Sequence, residues 1–176
     1  EFTKTFTEKG YEVWMPDYPG FGKSSGQLTE DKLYKYALLV RKMAGTKFNN
    51  DSIIVYGKSL GTGIAAYVAA ETQNKMLLLE TPYYSIPSLF GTYAFIYPTQ
   101  SMAKYKLPTN NFLEFTQEPV IIFHGDDDDV IPYRNAEKLK KYLKPTDKFY
   151  TIPDGTHHNI NKSPIYFKVL DSLLNN

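Results

Sequence analysis

The chain has no cysteine among its 176 residues. That excludes a disulfide framework, a thiol nucleophile and a zinc–thiolate centre. It leaves the compartment open, with the cytoplasm favoured over a membrane-anchored alternative. No apolar run approaches the ~18 residues that a membrane-spanning helix needs. The chain opens in the polar segment Glu1 to Lys4, so no signal peptide is visible. An excess of one charge is also missing: 20 Lys+Arg stand against 19 Asp+Glu. Such a balance gives no electrostatic footprint for nucleic acid, and no nucleic-acid partner is expected. There is no internal repeat, low-complexity tract or linker, so the chain reads as one domain, residues 1–176.

What is present suits a globular domain with a core: 42% hydrophobic and 22% charged residues. The 15 Tyr and 11 Phe are spread along the chain, which favours core and pocket wall over a stacking platform. Short apolar runs alternate with helical periodicity. Strands are expected at Tyr11–Met15, Ile53–Tyr56, Met76–Leu79, Val120–Phe123 and Phe149–Ile152. Each is a continuous apolar run, as for strands buried on both faces. Helical stripes fall at Leu33, Tyr36, Ala37, Val40, Met43 and Ala44; at Ile64, Ala65, Val68 and Ala69; at Ala136, Leu139 and Leu143; and at Ile165, Val169, Leu170, Leu173 and Leu174. The fold class is therefore α/β, a three-layer sandwich around a mostly parallel, doubly wound sheet. The irregular segment 83–118, rich in Tyr and Phe, reads as a long lid-like loop.

Three motifs carry chemistry. Gly57-Lys58-Ser59-Leu60-Gly61 is a G-x-S-x-G set between an expected strand and an expected helix. Such a strand–turn–helix elbow holds its serine in strained backbone and leaves no room for side chains on either flank, hence the glycines. The following helix start would lie under an oxyanion, with the Leu60 amide as one donor. A plain glycine turn is the bland alternative. The second motif, His124-Gly125-Asp126-Asp127-Asp128-Asp129-Val130-Ile131-Pro132, follows another strand and puts a carboxylate where active sites of parallel sheets form. Three of its four aspartates are expected to be solvated loop. Val130 stands where a D-x-D-x-D calcium loop would need an acid. The third, Gly155-Thr156-His157-His158, follows the last strand. Gly22-Lys23-Ser24 and Gly57-Lys58-Ser59 imitate the end of a phosphate-binding loop. Asp17 and Ser52 occupy the positions where that motif needs its first glycine, so neither is one.

These residues resemble the Bem46-like α/β-hydrolases of the serine aminopeptidase S33 (hydrolase 4) type. Pro16-Asp17-Tyr18-Pro19-Gly20-Phe21-Gly22-Lys23-Ser24 is similar to the group's P-D-Y-R-G-x-G-x-S, with Pro19 in place of Arg. Gly57 to Gly63 is similar to its G-[RK]-S-L-G-[TG]-G. The block His124 to Pro132 is similar to H-G-x-x-D-x-x-[IV]-P, and the final motif to G-[AT]-H-N-[ND]-[LI]. The resemblance implies Ser59 as nucleophile, Asp128 as acid and His157, rather than His158, as base. It also implies an upstream H-G-x motif carrying the second oxyanion donor. That motif is absent here, so the chain is expected to lack the first strands of the fold and to be unstable and nearly inactive alone.

The chemistry so implied is hydrolysis of a small-molecule ester, thioester or amide through an acyl-enzyme, with no metal and no cofactor. A carboxylesterase- or lipase-like activity leads. A peptidase of the same fold, or a non-catalytic binding scaffold, is the alternative. A serine at the elbow argues against dehalogenases and epoxide hydrolases, which need a carboxylate there. Tyr83, Tyr84, Phe90, Tyr93, Phe95 and Tyr97 are candidates for the wall of an apolar acyl pocket, against the plainer reading that they pack the lid. Asp17 and His124 are given structural roles. Membrane association is expected only through an N-terminal part outside this chain.

Overall fold

The computed structural model describes residues 3–94 and 96–175; Phe95 lies outside them. Its centre is a four-stranded, all-parallel sheet in the order β1-β2-β3-β4. The strands are β1 (Ile54–Lys58), β2 (Met76–Glu80), β3 (Val120–Gly125) and β4 (Lys148–Ile152). Helices α1 (Lys4–Thr7), α2 (Glu30–Gly45), α3 (Gly61–Glu71) and α8 (Pro164–Leu174) flank it. Helices α4 (Ile86–Tyr93), α5 (Thr99–Met102) and α6 (Thr109–Phe115) follow β2, and α7 (Tyr133–Ala136) follows β3. No helix among the described residues is long and apolar enough to cross a membrane.

Residues β2 and β3 are buried throughout, and their alternation sorts two cores onto the two faces. Met76, Leu78, Ile121 and Phe123 point to the side covered by α8, where Tyr166, Leu170 and Leu174 pack at four-residue spacing. Leu77, Leu79, Val120 and Ile122 point to the other side, against Ala65, Ala66 and Ala69 of α3 and Leu113 of α6. Small residues on α3 let its backbone approach the sheet closely. A third cluster of Leu33, Ile64, Tyr83, Leu107 and Ile131 lies where the loops leave the strand ends. Helix starts are capped where the sequence provides oxygens: Thr29, Ser85 and Ser163 side chains accept from the amides of Lys32, Ser88 and Ile165.

Three expectations need correction. Tyr11–Met15 forms no strand. A strand exists only by exchanging backbone bonds with a neighbour, and a cleft of about 950 Å³ is lined by Tyr11 to Met15 and by Ile54 to Lys58 of β1. Ala37, Val40 and Ala44 of α2 line the same cleft, so much of that helix's apolar stripe is only half-buried, and Met43 is exposed. Segment 83–118 is not a structureless loop but contains α4, α5 and α6. The stripe Ala136, Leu139 and Leu143 is carried by α7 running into a 3-10 turn, Glu137–Tyr142, in place of one α-helix.

Candidate active site

The site stands at the carboxyl ends of the strands. Ser59 links β1 to α3 at φ 49°, a left-handed conformation uncommon for a residue with a side chain. Three bonds hold it there. Its amide donates to the Glu80 carbonyl at 2.9 Å, and its own carbonyl accepts from the Thr62 amide and hydroxyl at 2.9 and 2.7 Å. The two motif glycines are not equivalent. A Cβ on Gly57 would come within 2.6–2.8 Å of Gly61, Ala65 and Thr62, whereas one on Gly61 would meet nothing within 4 Å. Gly57 thus lacks room for a side chain as expected, whereas Gly61, which borders the open cleft, does not.

The other two loops converge from β3 and β4. They cross at Gly125 and Gly155, where a Cβ on Gly125 would land on the Gly155 carbonyl. Asp126 is not simply solvated loop: its carboxylate accepts from the Asp154 amide at 2.7 Å and ties the two loops together. Asp127 and Asp129 are exposed. Asp128 is buried, and its Oδ1 accepts from the amides of Val130 and Ile131 at 2.9 and 2.8 Å. Its Oδ2 lies 2.9 Å from His157 Nδ1, and His157 Nε2 lies 3.0 Å from Ser59 Oγ. Burial pushes the Asp128 carboxyl up, but the bonds from His157 and from the Ile131 amide outweigh it and hold the group below its ordinary value. An ionised carboxylate only accepts, so Nδ1 carries a proton and Nε2 is free to accept from the Ser59 hydroxyl.

His158 lies outside this hydrogen-bonded line. It is exposed, and its ring meets that of His157 edge-on at a centroid distance of 5.2 Å. His124 is fully buried, with Nε2–H donating to the Ile131 carbonyl at 2.8 Å; burial lowers its pKa and keeps it neutral. Its Nδ1 has no partner among the described residues. Asp17 accepts from the Lys23 amide at 3.0 Å in its own turn. Leu60 precedes the first residue of α3, and amides at a helix start have no intrahelical partner.

The proposed pocket wall is not assembled. Tyr83 is buried beneath the elbow, donating to the Leu60 carbonyl at 3.0 Å. The Tyr84 hydroxyl pairs with that of Tyr142 at 2.8 Å, and its ring packs against the core on the α3–α6 side of the sheet. Phe90, Tyr93 and Tyr97 are exposed, and Phe95 lies outside the described residues. Tyr83 and Tyr84 engage separate neighbours while Phe90, Tyr93 and Tyr97 are exposed, so the described rings do not line one pocket.

Sequence reasoning missed Glu80 and Thr81. Glu80 is fully buried and its carboxylate accepts from Tyr56, Lys58 and Tyr166. Thr81 has φ 49°, like Ser59, and its buried hydroxyl has no partner among the described residues. The available signal was a lone acid closing the otherwise apolar run Met76-Leu77-Leu78-Leu79.

Comparison with known proteins bears on this architecture. Residues 2–101 match the model of the alpha/beta hydrolase fold family. The chain belongs to that family. It is 27% identical to human Protein ABHD12B over 93% of this chain and 52% of that protein. It is 25% identical to the lysophosphatidylserine lipase ABHD12 of Xenopus tropicalis over 98% of this chain and 52% of that protein. The chain thus spans about half the length of these distant relatives. The crystal structure of a bromoperoxidase from Bacillus anthracis shares the fold, with a TM-score of 0.71 at 19% identity over 99% of this chain and 85% of that one. The chain covers only part of the α/β-hydrolase fold.

Proposed function

We propose that this chain carries the nucleophile, base and acid of a serine hydrolase that cleaves esters through an acyl-enzyme. One observation carries the reading: the unbroken line from Ser59 Oγ through His157 to a buried, depressed-pKa Asp128. In this reading Ser59 Oγ attacks the substrate carbonyl carbon while its proton passes to His157 Nε2. Asp128 fixes the tautomer and stabilises the imidazolium. The tetrahedral intermediate collapses, the carbonyl–oxygen bond to the leaving group breaks, and His157 returns the proton to the departing alcohol. Water, deprotonated by the same His157, then releases the acid and restores Ser59. The Leu60 amide is the oxyanion donor this chain supplies. A lipase among the relatives favours a carboxylic ester of a lipid over a peptide bond.

The test uses the protein carrying this chain with a p-nitrophenyl ester series and a blocked amino-acid anilide. Ester turnover at least about 100-fold above anilide turnover is expected. Comparable anilide turnover would make it a peptidase. Turnover of neither by folded protein would favour a binding scaffold.

A further inference from the structure

From Thr81 to Leu113 the chain contains no acidic residue, although 19 Asp+Glu are distributed over the rest. This stretch leaves β2 beside Ser59 and forms α4 and α5. It also carries the largest group of exposed apolar side chains close in sequence. Phe90, Tyr93, Ile96, Tyr97 and Met102 each keep more than half of their surface exposed, 55–73%. The two helices lie together, since a Cβ on Gly91 of α4 would be 3.3 Å from Thr99 Oγ1 of α5. The other side of α4 is anchored: Ile86 and Leu89 pack onto the cluster of Tyr83, Leu107 and Ile131. The outward side of α4 and the turn into α5 therefore gathers exposed apolar groups, with the polar Gln100 and Ser101 of α5 exposed beside them.

The face adjoins the site and is edged by cations. Tyr93 donates to the carbonyls of Asp129 and Val130 at 2.7 and 3.0 Å, in the loop that holds Asp128, and Val130 is itself exposed. Lys138 reaches Ser88 Oγ at 3.2 Å and the Arg134 guanidinium lies 3.5 Å from the Thr92 carbonyl, both on α4. Lys104 and Lys106 follow α5, and Lys106 donates to the Gln100 carbonyl. Against these stand the exposed Asp127 and Asp129. Glu30, nearby, is engaged with the amides of Lys106 and Leu107 and the hydroxyl of Tyr34.

We infer that the α4–α5 face docks on an anionic phospholipid bilayer, with Phe90, Ile96 and Met102 entering the headgroup region. Tyr93 and Tyr97 suit the interface itself, where a ring with a polar tip is at home, and the basic side chains meet lipid phosphates. Docking there would present Ser59 to the membrane surface. It also places membrane contact within this chain, where the sequence had suggested only a segment outside it.

Vesicle sedimentation tests this in the Ser59→Ala protein, so that binding is measured without turnover and independently of the proposed chemistry. Vesicles of phosphatidylcholine with about one-third phosphatidylserine should bind it about tenfold better than phosphatidylcholine alone. Ile96→Asp/Met102→Asp should lower binding about tenfold, and Lys104→Glu/Lys106→Glu should erase the preference for phosphatidylserine. A control pair on α2, Leu39→Asp/Met43→Asp, also more than half exposed but remote in sequence, should change nothing. The substitutions at 39, 43, 96, 102 and 104 alter exposed positions and those at 59 and 106 half-buried ones, and an unchanged melting temperature confirms the folding of each variant. Equal binding by the α4–α5 and α2 variants, or no vesicle binding at all, would overturn the inference. So would a lipid-free dimer in sedimentation velocity that Ile96→Asp/Met102→Asp dissociates, since the face would then serve a second copy.

Discussion

The two sides of the elbow are built to different standards. On the β3–β4 side the loops are crossed and bonded: Gly125 lies against Gly155, the exposed Asp126 ties to Asp154, and the buried Asp128 accepts three bonds. On the β1 side the strand edge, Gly61 and residues 11–15 face an open cleft of about 950 Å³. The contrast teaches where geometry is self-contained. The proposed acid–base relay depends on contacts among strands this chain possesses. The outer edge of β1 depends on what occupies the cleft, and the chain covers only part of its fold.

The largest effects should come from the closed side. Asp128→Asn should lower kcat for a p-nitrophenyl ester by about 10⁴-fold, because the wrong tautomer of His157 would be held. His158→Ala should leave kcat within about twofold. Equal losses in both would erase the distinction between the two histidines.

Next come the glycines. Gly125→Ala forces a methyl group into the crossing of two loops and should cost at least ~3 kcal/mol in urea unfolding, or prevent folding. Gly61→Ala, at the first position of α3 with open space around it, should stay within ~1 kcal/mol of wild type. A costly Gly61→Ala would mean that the cleft is filled in solution.

Glu80→Gln sharpens the comparison from beneath the elbow. It removes the charge that Lys58, Tyr56 and Tyr166 surround and should cost about 2 kcal/mol, with Lys58→Met in the same chain recovering part of it. A loss that Lys58→Met does not relieve would show that the pair is not coupled.

The smallest effect is on pH. His124 is held neutral by burial, so its folded pKa lies below the ordinary 6.5. As pH falls below that value the unfolded chain takes up a proton that the folded chain does not, and stability declines by at most ~1.4 kcal/mol per pH unit. The decline ends once pH passes the folded pKa. Asp128, held below its ordinary 3.8, adds a further loss only at lower pH, as it is protonated. His124→Gln, which can still donate to Ile131, should flatten the slope just below pH 6.5 in thermal melts. An unchanged slope there would assign it to other groups.

Much of this was legible in the sequence because it is local. The turn around Ser59 needs a glycine at 57, and continuous apolar runs mark buried parallel strands such as β2 and β3. The line from Ser59 to Asp128 spans three loops, each directly past a strand and so visible as a motif; the choice of Asp128 among four aspartates and of His157 over His158 came from the family resemblance. What could not be read depends on partners distant in sequence. Tyr11–Met15 has the composition of a strand and lacks a neighbour to pair with. Tyr83 and Tyr84 are adjacent in sequence, but one is buried under Leu60 and the other pairs with Tyr142. Glu80, just past the expected strand, gave no sign that Tyr56, Lys58 and Tyr166 close around it.

The most direct test of the central claim is labelling of the protein carrying this chain with a fluorophosphonate, mapped by mass spectrometry. A covalent adduct on Ser59, abolished by His157→Ala and retained by His158→Ala, is the predicted result. Folded protein that forms no adduct, or one that labels equally well without His157, would contradict the account.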